Sequence, residues 1–197
     1  MSNFFGANEQ DKGKELLSHY WFENGFSPYQ CTSIINIGKS YPQEKGTIFS
    51  SNDDAPPDVR DSTIRWIDLN DPKIDWLKDE LARMALEAND ALFKLDLYGF
   101  TENLQFTEYE GKGKHYNWHP DIGPDQNGRK LSIVVQLSNP SDYNGGDLVI
   151  NNGTFMVPDK SQGNVIIFPS FLLHKVEPLL SGTRYSLVCW IGGPVWR

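Results

Sequence analysis

KLSIVVQLSNPSDYNGGDLVINNGTFMVPDKSQGNVIIFP (130–169) decides the fold class. KLSIVVQLS (130–138), GDLVINN (146–152), GTFMVP (153–158) and GNVIIFP (163–169) are short runs of strand-forming residues. Asn139-Pro140, Gly145-Gly146 and Asn152-Gly153 punctuate them as turns. The rhythm continues upstream through LDLYGF (95–100), LQFTEYE (104–110) and HYNWHPD (115–121), and downstream past Ser181-Gly182 into TRYSLVCWI (183–191). Many short strands at even spacing over about 100 residues predict a double-sheet jelly roll.

Before residue 94 the pattern is different. Ser27-Pro28-Tyr29-Gln30 carries a helix start, with Ser27 as N-cap, Pro28 as first helical residue and Gln30 closing a capping box. Cys31, Ile34 and Ile35 form its expected buried side and Gly38 its expected stop. STIRWIDL (62–69) alternates as a strand. Asp71-Pro72 then opens a helix whose apolar residues Ile74, Leu77, Leu81, Met84, Ala85, Ala88 and Leu92 recur at three- and four-residue steps. QEKGTIFSSNDDAPPDVRD (43–61) reads as a long loop, either a plain connection or a cover over a substrate. The expectation is a mainly β, α+β fold in one domain over 1–197. Residues 1–99 would supply helical support and a loop, and 100–197 the core.

Twenty-six acidic against 18 basic residues give a net charge of −8, which disfavours a broad nucleic-acid footprint. No 18-residue apolar run and no signal-like start are visible, so a cytoplasmic protein without a membrane partner is expected. Cys31 and Cys189 lack metal-type spacing and read as buried free thiols.

Four histidines occur in the chain, and two of them, His119 and His174, fall in strand-like segments about 50 residues apart. Side chains two apart on a strand share a side, so His119 and Asp121 could hold one ion, with His174 as third ligand. Two imidazoles and one carboxylate leave half of an octahedral iron open. Ordinary buried histidines, and a turn role for Asp121 before Gly123-Pro124, are the alternatives. Arg184 shares a strand face with Ser186, Val188 and Trp190. If that face lines the barrel, the guanidinium needs an anion, because desolvating it unpaired costs several kcal/mol. A carboxylate fits its donor fork. The partner could equally be an internal Asp or Glu. An iron-dependent oxygenase that uses a 2-oxo acid is the function these residues imply.

The segments QFTEYEGKGKHYNWHPD, GGDLVI and GNVIIFPSFLLHKVEPLLSGTRYSLVCWIGGP resemble the core of the 2-oxoglutarate/Fe(II) oxygenases, most closely the prolyl 4-hydroxylase branch. The resemblance spans roughly residues 100–197. It implies a cupin-like double-stranded β-helix, iron on His119, Asp121 and His174, and the distal carboxylate of 2-oxoglutarate on Arg184. Fe(II), 2-oxoglutarate and O2 would be the cofactors, with ascorbate as a reductant. The expected reaction is 4-hydroxylation of a prolyl residue in a peptide or protein substrate, releasing succinate and CO2. Tyr109 matches a tyrosine that touches cosubstrate or substrate, and Trp190 a tryptophan of the substrate pocket; core packing is the alternative for both. Gln136 stands where relatives often have a tyrosine, and its amide could still donate to 2-oxoglutarate, as could the Ser186 hydroxyl. His115 is expected to be a loop residue, and His19 carries no role. Metal affinity should weaken as pH falls toward the free imidazole value of ~6.5. The rival readings are a hydroxylase of a free amino acid or other small molecule, a non-catalytic jelly-roll binding protein, and a metal hydrolase that leaves Arg184 without a purpose.

Overall fold

A computed structural model describes residues 19–46, 58–124 and 126–196. Most of the 43–61 segment therefore lies outside the described residues. The strands are, in chain order, β1 Tyr20–Phe22, β2 Glu44–Lys45, β3 Arg60–Asp61, β4 Thr63–Ile67, β5 Gly99–Phe100, β6 Leu104–Glu110 and β7 His115–His119. They continue with β8 Arg129–Gln136, β9 Tyr143–Gly145, β10 Leu148–Asn151, β11 Phe155–Met156, β12 Val165–Pro169, β13 Leu173–Val176 and β14 Leu179–Gly192. Among the described residues two α-helices precede the core, α1 Pro28–Lys39 and α2 Asp75–Ala88.

The larger antiparallel sheet runs β1-β12-β8-β14-β6-β4-β2, with β5 and β9 also pairing on β14. The smaller runs β11-β10-β13-β7-β3. This is the expected double-stranded β-helix, and both faces of its larger sheet are covered. Leu131, Ile133 and Val135 of β8 and Leu187, Cys189 and Ile191 of β14 join Ile34, Leu77, Leu81 and Met84 of the helices in one core. The alternate residues turn the other way, where Val134, Ile166 and Phe168 meet Leu148 and Ile150 of the smaller sheet. β8 is buried along its whole length, with the apolar Leu131, Ile133 and Val135 toward the helices and Ser132, Val134 and Gln136 alternating on the other side.

α1 has the capping box read from Ser27 and Gln30, but Gly38 does not stop it. The helix runs on to Lys39 and caps at Ser40. Gly38 is buried instead, and a Cβ there would overlap the Phe106 ring, so the missing side chain serves a close helix–sheet approach. The α2 region begins with a short 3-10 turn, Pro72–Ile74, capped by Asp71, and it ends in a π turn, Asn89–Phe93. Lys94 then takes φ 53°, and only Gly99 and Phe100 of the expected 95–100 strand pair with β14. β9 and β13 were not separated as strands in the sequence. No helix among the described residues is long and apolar enough to cross a membrane. Both cysteines are free and buried.

Candidate active site

His119 ends β7 and pairs across the smaller sheet with His174 of β13. Asp121 lies beyond the end of β7, so its placement does not come from strand parity. A bend after Pro120 carries it, fixed by its N–H donating to the Ser170 carbonyl (2.8 Å) and by Arg129 Nη1 donating to its own carbonyl (3.0 Å). His119 Nε2 stands 3.7 Å from Asp121 Oδ1, and His174 Nε2 stands 3.5 Å from Oδ2. One ligand atom from each residue falls within 4.8 Å of the others. All three side chains are almost wholly buried.

Each imidazole is turned by its other nitrogen. His119 Nδ1 is 2.7 Å from the Asn117 carbonyl, and His174 Nδ1 is 3.0 Å from the Leu172 carbonyl. A carbonyl only accepts, so Nδ1 carries the proton and the Nε2 lone pair faces the shared centre. Burial, reinforced by His174 alongside, pushes His119 down to about 3, which keeps it neutral. For Asp121, burial raises the pKa, but His174, His119, the Ser132 hydroxyl and the Trp190 indole outweigh it and hold the carboxyl below its usual range. Ser132 Oγ lies 2.6 Å from Asp121 Oδ2 and also 3.0 Å from Ser170 Oγ. Two imidazole nitrogens and one carboxylate converging in a dry pocket fit a divalent first-row ion with open positions.

The larger sheet supplies the facing wall. Arg184 of β14 pairs with Tyr109 of β6, and Ser186 with Gln136 of β8. Arg184 is 1% exposed. Its Nη2 donates to Gln136 Oε1 at 3.0 Å, while its Nη1 is buried without a partner. No Asp or Glu forms an ion pair with it among the described residues. The Tyr109 ring lies 5.4 Å from the guanidinium carbon, and burial raises its pKa, so it remains a neutral phenol. A buried guanidinium with an orphaned donor fits a carboxylate of an incoming ligand. Trp190 is buried between Trp66 (ring centroids 6.2 Å apart) and Arg129 (3.8 Å above its ring), and its Nε1–H lacks a full hydrogen bond.

Several residues of the site went unread in the sequence. Tyr116 stacks on the His119 ring with 3.4 Å between centroids, and the Arg60 guanidinium covers the other side of Tyr116 at 4.4 Å. Burial pushes Tyr116 up to about 12. Ser132 could have been found by parity, because it shares the inward side of β8 with Gln136; Arg60 and Arg129 had no such signal. His115 opens β7 and bonds Gly113 and Asp58 carbonyls, apart from the three-residue cluster. It is a strand residue, not the loop residue expected. His19 stacks on Trp21 instead.

Residues 104–192 match the pattern of the 2OG-Fe(II) oxygenase superfamily. The match covers somewhat under half of the chain, and over it the sequence is similar to that superfamily. Among curated relatives, a PKHD-type hydroxylase of Crocosphaera subtropica is 34% identical over 131 residues, 64% of this chain and 58% of its own length. One from Synechococcus sp. (strain CC9605) is 42% identical over 85 residues, 40% of this chain and 37% of that protein. The chain thus spans between about a third and three fifths of the length of these two relatives. The fold of a Pseudomonas putida prolyl-4-hydroxylase superposes with a TM-score of 0.71 at 21% identity, over 90% of this chain and 93% of that one. A Trichoplax adhaerens prolyl hydroxylase, solved with a hypoxia inducible factor peptide, gives 0.73 at 20% identity, over 89% and 83%. Family and donor set together fit Fe(II), 2-oxoglutarate and O2.

Proposed function

We propose that this chain hydroxylates a prolyl residue in a peptide or protein, consuming O2 and 2-oxoglutarate and releasing succinate and CO2. The observation that carries the reading is the pairing of a buried His-Asp-His cluster with a buried arginine whose Nη1 has no protein partner. Iron(II) and 2-oxoglutarate, when bound, supply the oxidation: one oxygen atom goes to the substrate C–H and one to the succinate formed as the 2-oxo acid loses CO2.

The chain's own groups do the holding. His119 and His174 present Nε2, and Asp121 presents its carboxylate. Arg184 Nη1 takes the far carboxylate of 2-oxoglutarate by a charge-assisted bond. Gln136 already accepts from Nη2 through Oε1, and its amide N–H is a further donor for that carboxylate. The Tyr109 phenol and the Ser186 hydroxyl add donors from the neighbouring positions. Trp190 closes the wall beside Asp121 and keeps water out. Tyr116, stacked on His119 and backed by Arg60, fixes the plane of that imidazole beside the centre. The prolyl hydroxylases of like fold, one of them holding a peptide, support a polypeptide substrate.

The test is a proline-containing peptide panel incubated with the protein, ferrous iron and 2-oxoglutarate. Succinate release together with a gain of one oxygen mass on proline is expected. Turnover confined to free proline would move the substrate to a small molecule, and no succinate under any condition would end the reading.

A further inference from the structure

The inner end of β8 carries a residue the proposed chemistry has not used. Arg129 is 6% exposed, and its guanidinium is engaged on every side. Nε and Nη2 reach the two carboxylate oxygens of Glu102 at 2.7 and 2.5 Å. Nη1 donates to the Asp121 carbonyl at 3.0 Å. The guanidinium carbon sits 3.8 Å over the Trp190 ring. Glu102 belongs to the turn between β5 and β6, and its Oε1 also accepts from Thr101 Oγ1 at 3.0 Å. Trp196 Nε1 donates to the Arg129 carbonyl at 2.9 Å.

A planar fork gripped at one edge has its plane and its remaining edge fixed. Asp121 needs such support, because it stands outside a strand, where no ladder holds it. We propose that Glu102, acting through Arg129, is a positioning residue. It sets the Asp121 backbone, and with it the carboxylate, while pressing Trp190 against the same residue. The inference rests on the proposed role of Asp121 as a metal ligand. Glu102 touches neither metal nor substrate, and its side chain is 31% exposed, so replacing it leaves no deep cavity.

The experiment measures Mn(II) affinity of the full chain by the free-ion electron paramagnetic resonance signal, without cosubstrate. It compares wild type with Glu102→Gln, Glu102→Asp and Arg129→Lys, with circular dichroism melts fixing the folded fraction of each. Loss of such an outer support is expected to weaken Mn(II) binding about 10-fold or more in Glu102→Gln. Glu102→Asp, which keeps a carboxylate, should bind closer to wild type. Arg129→Lys, which keeps the charge but loses the fork, should follow Glu102→Gln, and it decides the matter if Glu102→Gln does not fold. Affinity equal to wild type in the folded variants, or weakening only in proportion to unfolded protein, overturns the inference while leaving the metal site standing. A wild type that binds no Mn(II) removes the metal site and the clamp with it.

Discussion

Arg184 gives one nitrogen to Gln136 and keeps the other unsatisfied, although the whole side chain is buried. A cation held this way weakens the empty protein and strengthens the liganded one. Arg184→Met is therefore expected to raise the melting temperature measured without cosubstrate. The same variant should lose the stabilisation that 2-oxoglutarate with Mn(II) gives wild type, and its cosubstrate requirement should rise at least about tenfold for the loss of a bond worth ~1.5–3 kcal/mol. Mn(II) alone should still bind. Calorimetry and thermal melts with each ligand read all three effects.

Acid should act on this site below the range set by free imidazole. His119 is held at about 3 when folded, against ~6.5 when exposed. The unfolded chain therefore takes up this proton first. Its contribution to stability is whole above about 6.5 and is lost as pH falls from there toward 3. Melts of the metal-free protein should show a falling midpoint across that window, with a shallower slope in His119→Gln. Proton competition with metal at His119 is likewise displaced to more acid pH than the sequence alone suggested.

Ser132 is expected to matter out of proportion to its size. Its hydroxyl is the donor to Asp121 Oδ2, and it has no exposed surface. Ser132→Ala should weaken Mn(II) binding by about 10-fold and lower stability by about 1 kcal/mol. Titration with Mn(II) and urea unfolding separate the two effects.

Gly38→Ala tests the support rather than the site. The added methyl would meet the Phe106 ring, and α1 would have to back away from the larger sheet. Overpacking of this kind costs about 1–3 kcal/mol. Chemical denaturation should show that loss with Mn(II) affinity unchanged.

Where a period of two ran uninterrupted, the sequence was enough to place side chains. Arg184, Ser186 and Trp190 do line the inside, and Leu187, Cys189 and Ile191 do face the helices. His119, Asp121 and His174 were legible by residue type and spacing, but the reason Asp121 joins them was not. Strand parity brought Asp121 to the cluster through the wrong geometry, because its bend is held by contacts to Ser170, some 50 residues further along the chain, and to Arg129, neither of which has a local sequence signal. β13 was hidden because Leu173–Val176 is four residues long and alternates weakly. Gly38 misled because a glycine near a helix end reads as a stop, and only the position of Phe106 shows it is a contact. Arg60 and Tyr116 depend on β3 docking beside β7, a pairing between segments some 55 residues apart in the chain.

β14 is a single strip with the helix-side core on one side and Arg184, Ser186 and Trp190 on the other. Inserting or deleting one residue between Arg184 and Trp190 would exchange the two sides, burying polar groups among the helices and filling the pocket with aliphatic ones. Such a chain would lose ligand binding and its scaffold in the same event, so this segment can bear a replaced residue but not a changed length.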